Sequence, residues 1–314
     1  MNNQLVNNII RATLYEGYIL YPYRPSAVKN RQRFNFGVLS PPACAASGPS
    51  QMQTECLWQG DEQTTLSISV RFLHLVSRET RGADDEAWQE AVERDVCATG
   101  LMLSELLSAP HQLTFTFPAQ TTSDHTEVRR QQALAGTIHL AAEQLSERTC
   151  RLTARVMNET PFAPDSTAGR DEALLHSFVS THTILNVNGG EFVSLLDPPE
   201  ALRESARLCR NVGTWPVLVG ADGERDTMLS SPIILYDYPE VAPESPGDFF
   251  DGTEIDEMLT LRILTLTDAE KAEMRAADER ARQLLERTES LPAEHLAKLH
   301  GAVRGLRRVA GESS

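Results

Sequence analysis

The residues best suited to chemistry are the carboxylates of one acidic stretch. Residues 237–257, here called the acidic segment, contain eight acidic side chains and no basic one. Asp248, Asp251 and Glu254 recur every three residues, and such oxygens can bind metal ions or transfer protons. The calcium-loop pattern of alternating acids followed by glycine is missing. We therefore expect mainly a solvated or partner-binding surface, with a metal or acid–base site as the alternative.

Histidine and cysteine add no compact metal-binding motif. His176 and His182 are six residues apart, and His295 and His300 are five apart, which suits no shared helical face. The five cysteines form no CxxC pair, so reduced thiols are expected. No bound metal or cofactor is predicted. The histidines are His74, His111, His125, His139, His176, His182, His295 and His300.

The sequence leaves the question of catalysis open. It contains no glycine-rich nucleotide loop and no GxSxG nucleophile elbow. Residues assembled from distant positions would leave no such local pattern. The alternative function is therefore a metal-dependent hydrolase or maturation enzyme that uses carboxylates of the acidic segment with histidines. A small-ligand-binding β-sandwich with a deep apolar pocket is a third possibility.

Residues 14–42, here called the N-terminal arm, are rich in aromatic and basic side chains. The only acid of the arm is Glu16. Tyrosine and arginine are the residues most often found at interface hot spots. The arm and the acidic segment have opposite charge, so each could bind the other or a second protein. The predicted partner-binding residues are Tyr21, Tyr23, Arg24, Arg31 and Arg33 in the arm and Asp251, Glu254, Asp256 and Glu257 in the acidic segment.

Composition limits the classes of partner. The chain has 314 residues, 41% of them apolar, and a net charge of −15. This acidic excess argues against nucleic acid or an anionic membrane as a partner of the body, although the basic arm alone could contact either. Apolar runs such as residues 233–235 are far shorter than the roughly 20 residues of a membrane helix. The first residues lack the pattern of a secretory signal peptide, so a cytoplasmic location is predicted.

Periodicity predicts mainly strands in residues 64–236. Alternating apolar residues indicate strands at 66–72, 113–117, 138–142 and 152–156, the last two as an antiparallel hairpin around Glu147 and Arg148. Asn188-Gly189-Gly190 predicts a hairpin between strands 178–187 and 191–196. Strands are also expected at 215–219 and 232–236, and a short helix at 200–209. Trp88, Val92, Val96, Leu103 and Leu106 predict a helix that starts at Asp84 or Asp85 and stops at Pro110.

The ends of the chain are predicted to be helical or extended. A short N-terminal helix carries Leu5, Ile9 and Ile10, residues 18–23 are extended before proline, and residues 41–63 form a loop or linker. Residues 259–266 are apolar enough for a buried strand. A capping box at Thr267–Glu270 opens a helix with Met274, Ala277, Ala281 and Leu284 on one face, and a second helix starts at Pro292.

These elements predict an α+β fold with an antiparallel β-sandwich-like body, flanking helices, an extended N-terminal arm and a C-terminal helical hairpin. The expected divisions are residues 1–63 (arm and linker), 64–236 (β-rich body) and 237–314 (acidic segment and helical hairpin).

Four phrases of the sequence resemble a bacterial family associated with gene clusters for nickel–iron hydrogenases and their maturation. They are Tyr15–Arg24 (YEGYILYPYR), Lys29–Arg33 (KNRQR), Asp251–Glu257 (DGTEIDE) and Leu261–Asp268 (LRILTLTD). No catalytic residue can be transferred from this family. The resemblance implies an accessory role in hydrogenase assembly or in coupling a hydrogenase to its partner, with a hydrogenase subunit as the candidate that this chain binds. The favoured hypothesis is therefore a non-enzymatic accessory or scaffold protein that binds a protein partner, its oligomeric state being open.

Overall fold

One curled antiparallel sheet forms the body of the molecule. The computed structural model describes residues 3–25, 27–44, 48–80, 88–163, 169–240 and 256–292. Within these ranges ten strands belong to a single hydrogen-bonded sheet that curls into a half-barrel. The predicted α+β class is confirmed. The finer prediction of a β-sandwich is not, because the described strands form one continuous sheet instead of two packed ones.

The sheet has the order β3-β6-β7-β1-β8-β10-β9, with β2 and β5 also paired to β1 and β4 paired to β5. The strands are β1 (Gln51–Thr80), β2 (Trp88–Met102), β3 (His111–Phe117), β4 (Gln120–Ser123), β5 (Glu127–Gln131), β6 (Leu134–Gln144), β7 (Thr149–Asn158), β8 (Val179–Val193), β9 (Trp215–Leu218) and β10 (Thr227–Ser231). The α-helices are α1 (Asn3–Leu14), α2 (Leu103–Ser108), α3 (Arg170–Leu175), α4 (Arg203–Arg207), α5 (Asp256–Leu264), α6 (Asp268–Ala277) and α7 (Glu279–Glu289). Short 3-10 turns cover Val28–Gln32, Pro42–Cys44 and Glu200–Leu202.

Strand β1 is the centre of the sheet. It is 30 residues long and pairs with β2, β5, β7 and β8 along different parts of its length. The predicted alternation at residues 66–72 is confirmed, since Leu66, Ile68, Val70 and Phe72 are all buried in the main core. The prediction of a loop or linker at residues 41–63 is wrong from Gln51 onward, because β1 begins at that residue. The expected division at residue 63 therefore falls inside a strand.

Aromatic rings fill the inside of the curl. Phe72 stacks on Phe178 with a centroid separation of 4.6 Å, and Phe115 lies 5.6 Å from Phe178. Gly136 on β6 faces these rings. A Cβ atom at this position would lie 2.6 Å from both Phe115 and Phe178 and 2.8 Å from the Met157 carbonyl oxygen. The absence of a side chain at Gly136 allows the rings to pack against the strand.

We expect Gly136→Ala to lower the free energy of unfolding by about 1–3 kcal/mol, because the added methyl group overpacks the ring cluster. Urea unfolding followed by tryptophan fluorescence measures this loss. Gly169→Ala is the control, since a Cβ there meets no atom within 4 Å. Equal unfolding midpoints for the two variants would contradict the packing argument.

Several strand predictions are confirmed. Strands β3, β6 and β7 cover the predicted segments, and β6 and β7 pair as the expected antiparallel hairpin. The prediction of a hairpin at residues 188–190 is wrong, because β8 runs without a turn from Val179 to Val193. Gly189, with φ of +80°, instead accommodates a register shift opposite residues 61–64 of β1. The Thr64 hydroxyl donates to the Gly189 carbonyl oxygen at 2.9 Å across this bulge.

Two other predictions are wrong in element type or place. Residues 88–102 form β2 instead of a helix, and only Leu103–Ser108 of the predicted helix is helical; residues 84 and 85 lie outside the described part. The strand expected at 232–236 lies at Thr227–Ser231. That strand is buried on both faces because Met228 joins the main core while Leu229 packs under α1.

The predicted helix at Leu5, Ile9 and Ile10 is confirmed as α1.

A second core joins the two ends of the described chain. Tyr15, Tyr18, Ile19, Tyr23 and Phe34 of the arm pack with residues of α5, α6 and α7 and with the outer face of β1 and β8. The arm is therefore not extended at residues 18–23. Its backbone turns there, with a cis Tyr21–Pro22 bond and φ of +59° at Tyr23.

The C-terminal helices differ from the prediction in their boundaries. Residues 259–264 are part of α5 instead of a strand, with Leu259 and Ile263 buried one helical turn apart. The capping box at Thr267 and Glu270 is confirmed. The helix that follows is divided at Asp278, which ends α6 and caps α7. The helix predicted to follow Pro292 lies outside the described residues.

Candidate functional site

The predicted partner-binding residues of the arm occupy two different environments. Tyr23 is fully buried and Arg33 is only 5% exposed, so the chain itself encloses these two side chains. Tyr21 and Arg24 are half-buried. Asp251 and Glu254 lie outside the described residues, as do the side chains of Arg31, Asp256 and Glu257. The assignment of these residues to a partner interface stays a prediction.

The exposed edge of the arm contacts the C-terminal helices. Arg24 Nη1 lies 3.2 Å from Glu270 Oε1 and 3.8 Å from Glu273 Oε2, both on α6. The Arg262 guanidinium on α5 lies 5.4 Å from the Tyr21 ring centroid. Arg24 of the arm is thus paired with acids of α6. The predicted contact between the arm and the acidic segment stays a prediction, because residues 241–255 of that segment lie outside the described residues.

Arg33 is the central cation of the second core. Its Cζ atom lies 3.6 Å from the Trp88 ring centroid and 4.5 Å from that of Phe34. Nη1 donates to the Tyr18 carbonyl oxygen at 3.0 Å, and Nη2 donates to the Gln89 carbonyl oxygen at 2.9 Å. Burial lowers the pKa of the Arg33 guanidinium to about 10. The group therefore stays charged at neutral pH between two aromatic walls.

Asp278 is the buried anion on the other side of this cluster. Its Oδ1 accepts the Ala281 backbone N–H at 2.8 Å, and its Oδ2 accepts the Trp88 indole N–H at 3.3 Å. It also hydrogen-bonds to Tyr18, whose pKa is raised well above its usual value, first by burial and then by this carboxylate. Asp278 thus links the arm, β2 and α7. Sequence reasoning missed it because one continuous helix was expected through this position.

A second polar contact fixes the start of the arm. The Tyr15 hydroxyl donates to Glu93 Oε1 at 2.8 Å, and the Arg280 guanidinium lies over the Tyr15 ring with Cζ 3.6 Å from the centroid. Arg280 Nη2 also donates to the Tyr15 oxygen. Burial raises the pKa of Tyr15 far above its usual value. Tyr15 is therefore a neutral hydrogen-bonding phenol that connects β2 with α7.

An open cleft of about 530 Å³ lies beside this cluster, between the sheet and the α6–α7 junction. A smaller cleft of about 270 Å³ lies between residues 34–40 and α3. The larger cleft is mostly polar and is the only one of these two to combine guanidinium groups from the sheet and the helices. It is lined by Tyr18, Arg78, Glu90, Ala91, Arg129, Arg275, Ala276, Asp278, Glu279, Arg280, Arg282 and Gln283.

Two buried histidines make hydrogen bonds that fix their protonation. His182 Nδ1 lies 2.7 Å from the Ser180 carbonyl oxygen, which can only accept, so Nδ1 carries the proton. His182 Nε2 then accepts from the Ser231 hydroxyl at 3.1 Å. Burial lowers the pKa of His182 to about 4, and burial with the nearby Arg94 charge lowers that of His74 to about 4. Both are neutral at pH 7.

The Ser231–His182 pair has the atoms of a nucleophile and its base. Both residues are 0% exposed, however, and they join β8 to the end of β10 inside the sheet. A substrate carbonyl has no route to Ser231 Oγ in this arrangement. We therefore assign the pair a packing role. No group of three or more metal-ligating side chains occurs in the described part of the chain, and the five cysteines are free thiols.

Exposed apolar side chains concentrate at the β9 edge of the sheet. Trp215, Ile234 and Tyr236 are 45%, 71% and 84% exposed. Trp215 lies opposite Ser231 in the β9–β10 ladder, and the Tyr238 N–H donates to the Leu218 carbonyl oxygen at the other end of β9. Residues 232–236 therefore pass around the end of β9. Trp215, Ile234 and Tyr236 are together called the β9 patch.

The β9 patch leads directly into the acidic segment. Asp237, the first acid of that segment, accepts the Leu218 N–H at 2.8 Å and the Ser194 hydroxyl at 2.5 Å. These bonds fix the chain where it leaves the patch. The sequence did not indicate the patch, because the apolar residues at 232–236 were predicted to form a strand.

No protein-family model matches the sequence, and no curated protein is significantly similar to it. Among the described helices, none has both the length and the apolar character needed to cross a membrane.

Proposed function

We propose that this chain is a non-enzymatic accessory protein that binds a protein partner through the β9 patch, with a hydrogenase subunit as the specific candidate. The observation that carries the proposal is the exposure of Trp215, Ile234 and Tyr236, on β9 and on the segment that follows β10. Large exposed apolar patches on monomers usually mark interaction sites. Tryptophan and tyrosine are also over-represented among residues that dominate binding energy.

The charge beside the patch indicates the kind of partner. Residues 237–257 carry eight acids without a base, and the chain as a whole carries a net charge of −15. A partner with an apolar centre and a basic rim fits this surface, because opposite charges at the rim speed association and exclude acidic competitors. The hydrogenase assignment rests on the resemblance of the four sequence phrases, and the β9 patch supplies a surface through which such a subunit could bind.

The test is affinity purification of the tagged protein from its native host, with quantitative mass spectrometry of the co-purifying proteins. We expect Ile234→Ser combined with Tyr236→Ser to reduce recovery of the partner at least about tenfold, as loss of a hot spot does. Both residues are more than 70% exposed, so the fold should tolerate these changes. Val28→Ser is the matched control, because Val28 is 78% exposed and belongs to the arm instead of the β9 patch.

The outcomes separate the proposal from its alternative. Hydrogenase subunits recovered with the wild type and with Val28→Ser, but lost from the double variant, would support it. Equal recovery by all three proteins would contradict the β9 patch as the binding surface. The same eluate should be analysed for metals. A stoichiometric metal without a co-purifying protein would contradict the accessory role and favour the metal-dependent enzyme.

A further inference from the structure

The larger cleft brings together cationic side chains from three parts of the chain. Arg78 comes from β1, Arg129 from β5, and Arg275, Arg280 and Arg282 from α6 and α7. Only three carboxylates, Glu90, Asp278 and Glu279, also line it. Such a concentration of guanidinium groups is unexpected in a protein with a net charge of −15.

Carboxylates behind the cleft wall hold several of these arginines in place. Arg129 Nη2 lies 2.7 Å from Glu127 Oε2, Arg275 Nη2 lies 2.8 Å from Glu289 Oε2, and Arg282 Nη1 lies 2.7 Å from Glu286 Oε1. None of these three glutamates lines the cleft. Two carboxylates that do line the cleft, Glu90 and Glu279, pair with Arg78, Arg129 and Arg282 as well, so acids on both sides of the cleft wall orient the guanidinium groups. Such pre-orientation lowers the entropic cost of binding a ligand.

Arg78 is the most buried of the arginines that line the cleft. Arg78, whose side chain is 13% exposed, donates to the Ala276 carbonyl oxygen at 3.3 Å and lies 2.9 Å from Glu90 Oε1. Arg129 faces Arg78 directly in the β1–β5 ladder and shares the same Glu90. At the rim, the side chains of Arg275 and Arg282 are 44% and 42% exposed. Their guanidinium groups are therefore accessible from solvent.

We propose that this cleft binds an organic phosphate. A guanidinium group offers five N–H donors in a planar fork that matches the oxygens of phosphate, and several of them surround this cleft. The volume of about 530 Å³ lies within the range of small-molecule sites. Ala91 and Ala276 add a less polar wall for the organic part of the ligand. The site shares no lining residue with the β9 patch, so the two proposals stand independently.

The test is isothermal titration calorimetry of the full chain with inorganic pyrophosphate and with ADP. We expect saturable binding of at least one of them with a dissociation constant below about 1 mM. Arg129→Gln and Arg282→Gln should each weaken this binding at least about tenfold, since each removes one charge-assisted phosphate contact. Arg203→Gln is the matched control. Arg203 is 48% exposed and forms a comparable (i, i−3) ion pair with Glu200, away from the cleft.

Three results would overturn the proposal: no saturable binding of either phosphate, equal binding by all the variants, or binding of citrate as tight as that of the phosphates. The last result would show a general anion surface without selectivity for phosphate. Thermal unfolding of each variant establishes that it is folded. Weakening in Arg129→Gln and Arg282→Gln, with Arg203→Gln unchanged, would support the phosphate site.

Discussion

Replacing Arg33 with alanine is expected to lower the free energy of unfolding by about 3–5 kcal/mol. The substitution removes the cation that lies between Trp88 and Phe34 and leaves the buried Asp278 carboxylate without its positive neighbour. It also leaves the Tyr18 and Gln89 carbonyl oxygens without a donor. Urea unfolding at pH 7, followed by tryptophan fluorescence and by circular dichroism, measures the loss.

Two further variants test whether burial and shape cause this effect. Arg33→Lys keeps the charge but cannot reproduce the planar stacking or both hydrogen bonds, so an intermediate loss is expected. Arg130→Ala removes an arginine that is 44% exposed and paired with Glu79, and surface pairs of this kind contribute only about 0–1 kcal/mol. If Arg33→Ala lost no more stability than Arg130→Ala, the central role of Arg33 in the second core would be wrong.

The second large effect is a loss of stability in mild acid through His182. A histidine has a pKa of about 6.5 in an unfolded chain, while burial lowers the pKa of His182 to about 4 in the folded protein. Between these values the unfolded state binds more protons than the folded state. The free energy of unfolding therefore falls as the pH falls from 6.5 to 4, by roughly 3 kcal/mol from this group. The stabilising contribution is fully present above pH 6.5.

His182→Gln isolates this contribution, because glutamine keeps a polar side chain but does not titrate. The variant should be less stable at pH 7 and should depend less on pH than the wild type between 6.5 and 4. Chemical unfolding at several pH values measures both. His125→Gln is the control, since His125 is exposed. Identical pH dependence in the wild type and His182→Gln would show that burial of His182 does not cause the acid sensitivity.

Sequence periodicity located apolar faces better than it identified element types. Trp88, Val92 and Val96 are spaced by four, which matches about one helical turn and also two repeats of a strand. The sequence predicted a helix, but pairing with β1 makes this segment β2. The opposite error occurred at α5, where the apolar character of residues 259–266 predicted a buried strand although Leu259 and Ile263 lie one helical turn apart. In both segments tertiary packing decided between patterns that fit equally well.

The functional residues depend even more on distant contacts. The composition of the arm marked it as unusual. It did not indicate that Tyr23 and Arg33 would be buried. Their enclosing residues, Trp88 and Asp278, are remote in sequence and belong to no motif. The cleft also depends on contacts between distant parts of the sequence, because its arginines come from two strands and two helices. Local signals such as the capping box at Thr267 were predicted correctly because they involve only neighbouring residues.

The second core also affects how the chain folds while the ribosome synthesises it. Tyr15 and Arg280, which touch in the folded protein, are 265 positions apart. At ~5–20 residues per second, translation separates their appearance by roughly 13–50 s. During that time the tyrosines of the arm have emerged without the helices that cover them. The arm is therefore synthesised well before it can reach its final surroundings, and a chaperone has that interval in which to bind it.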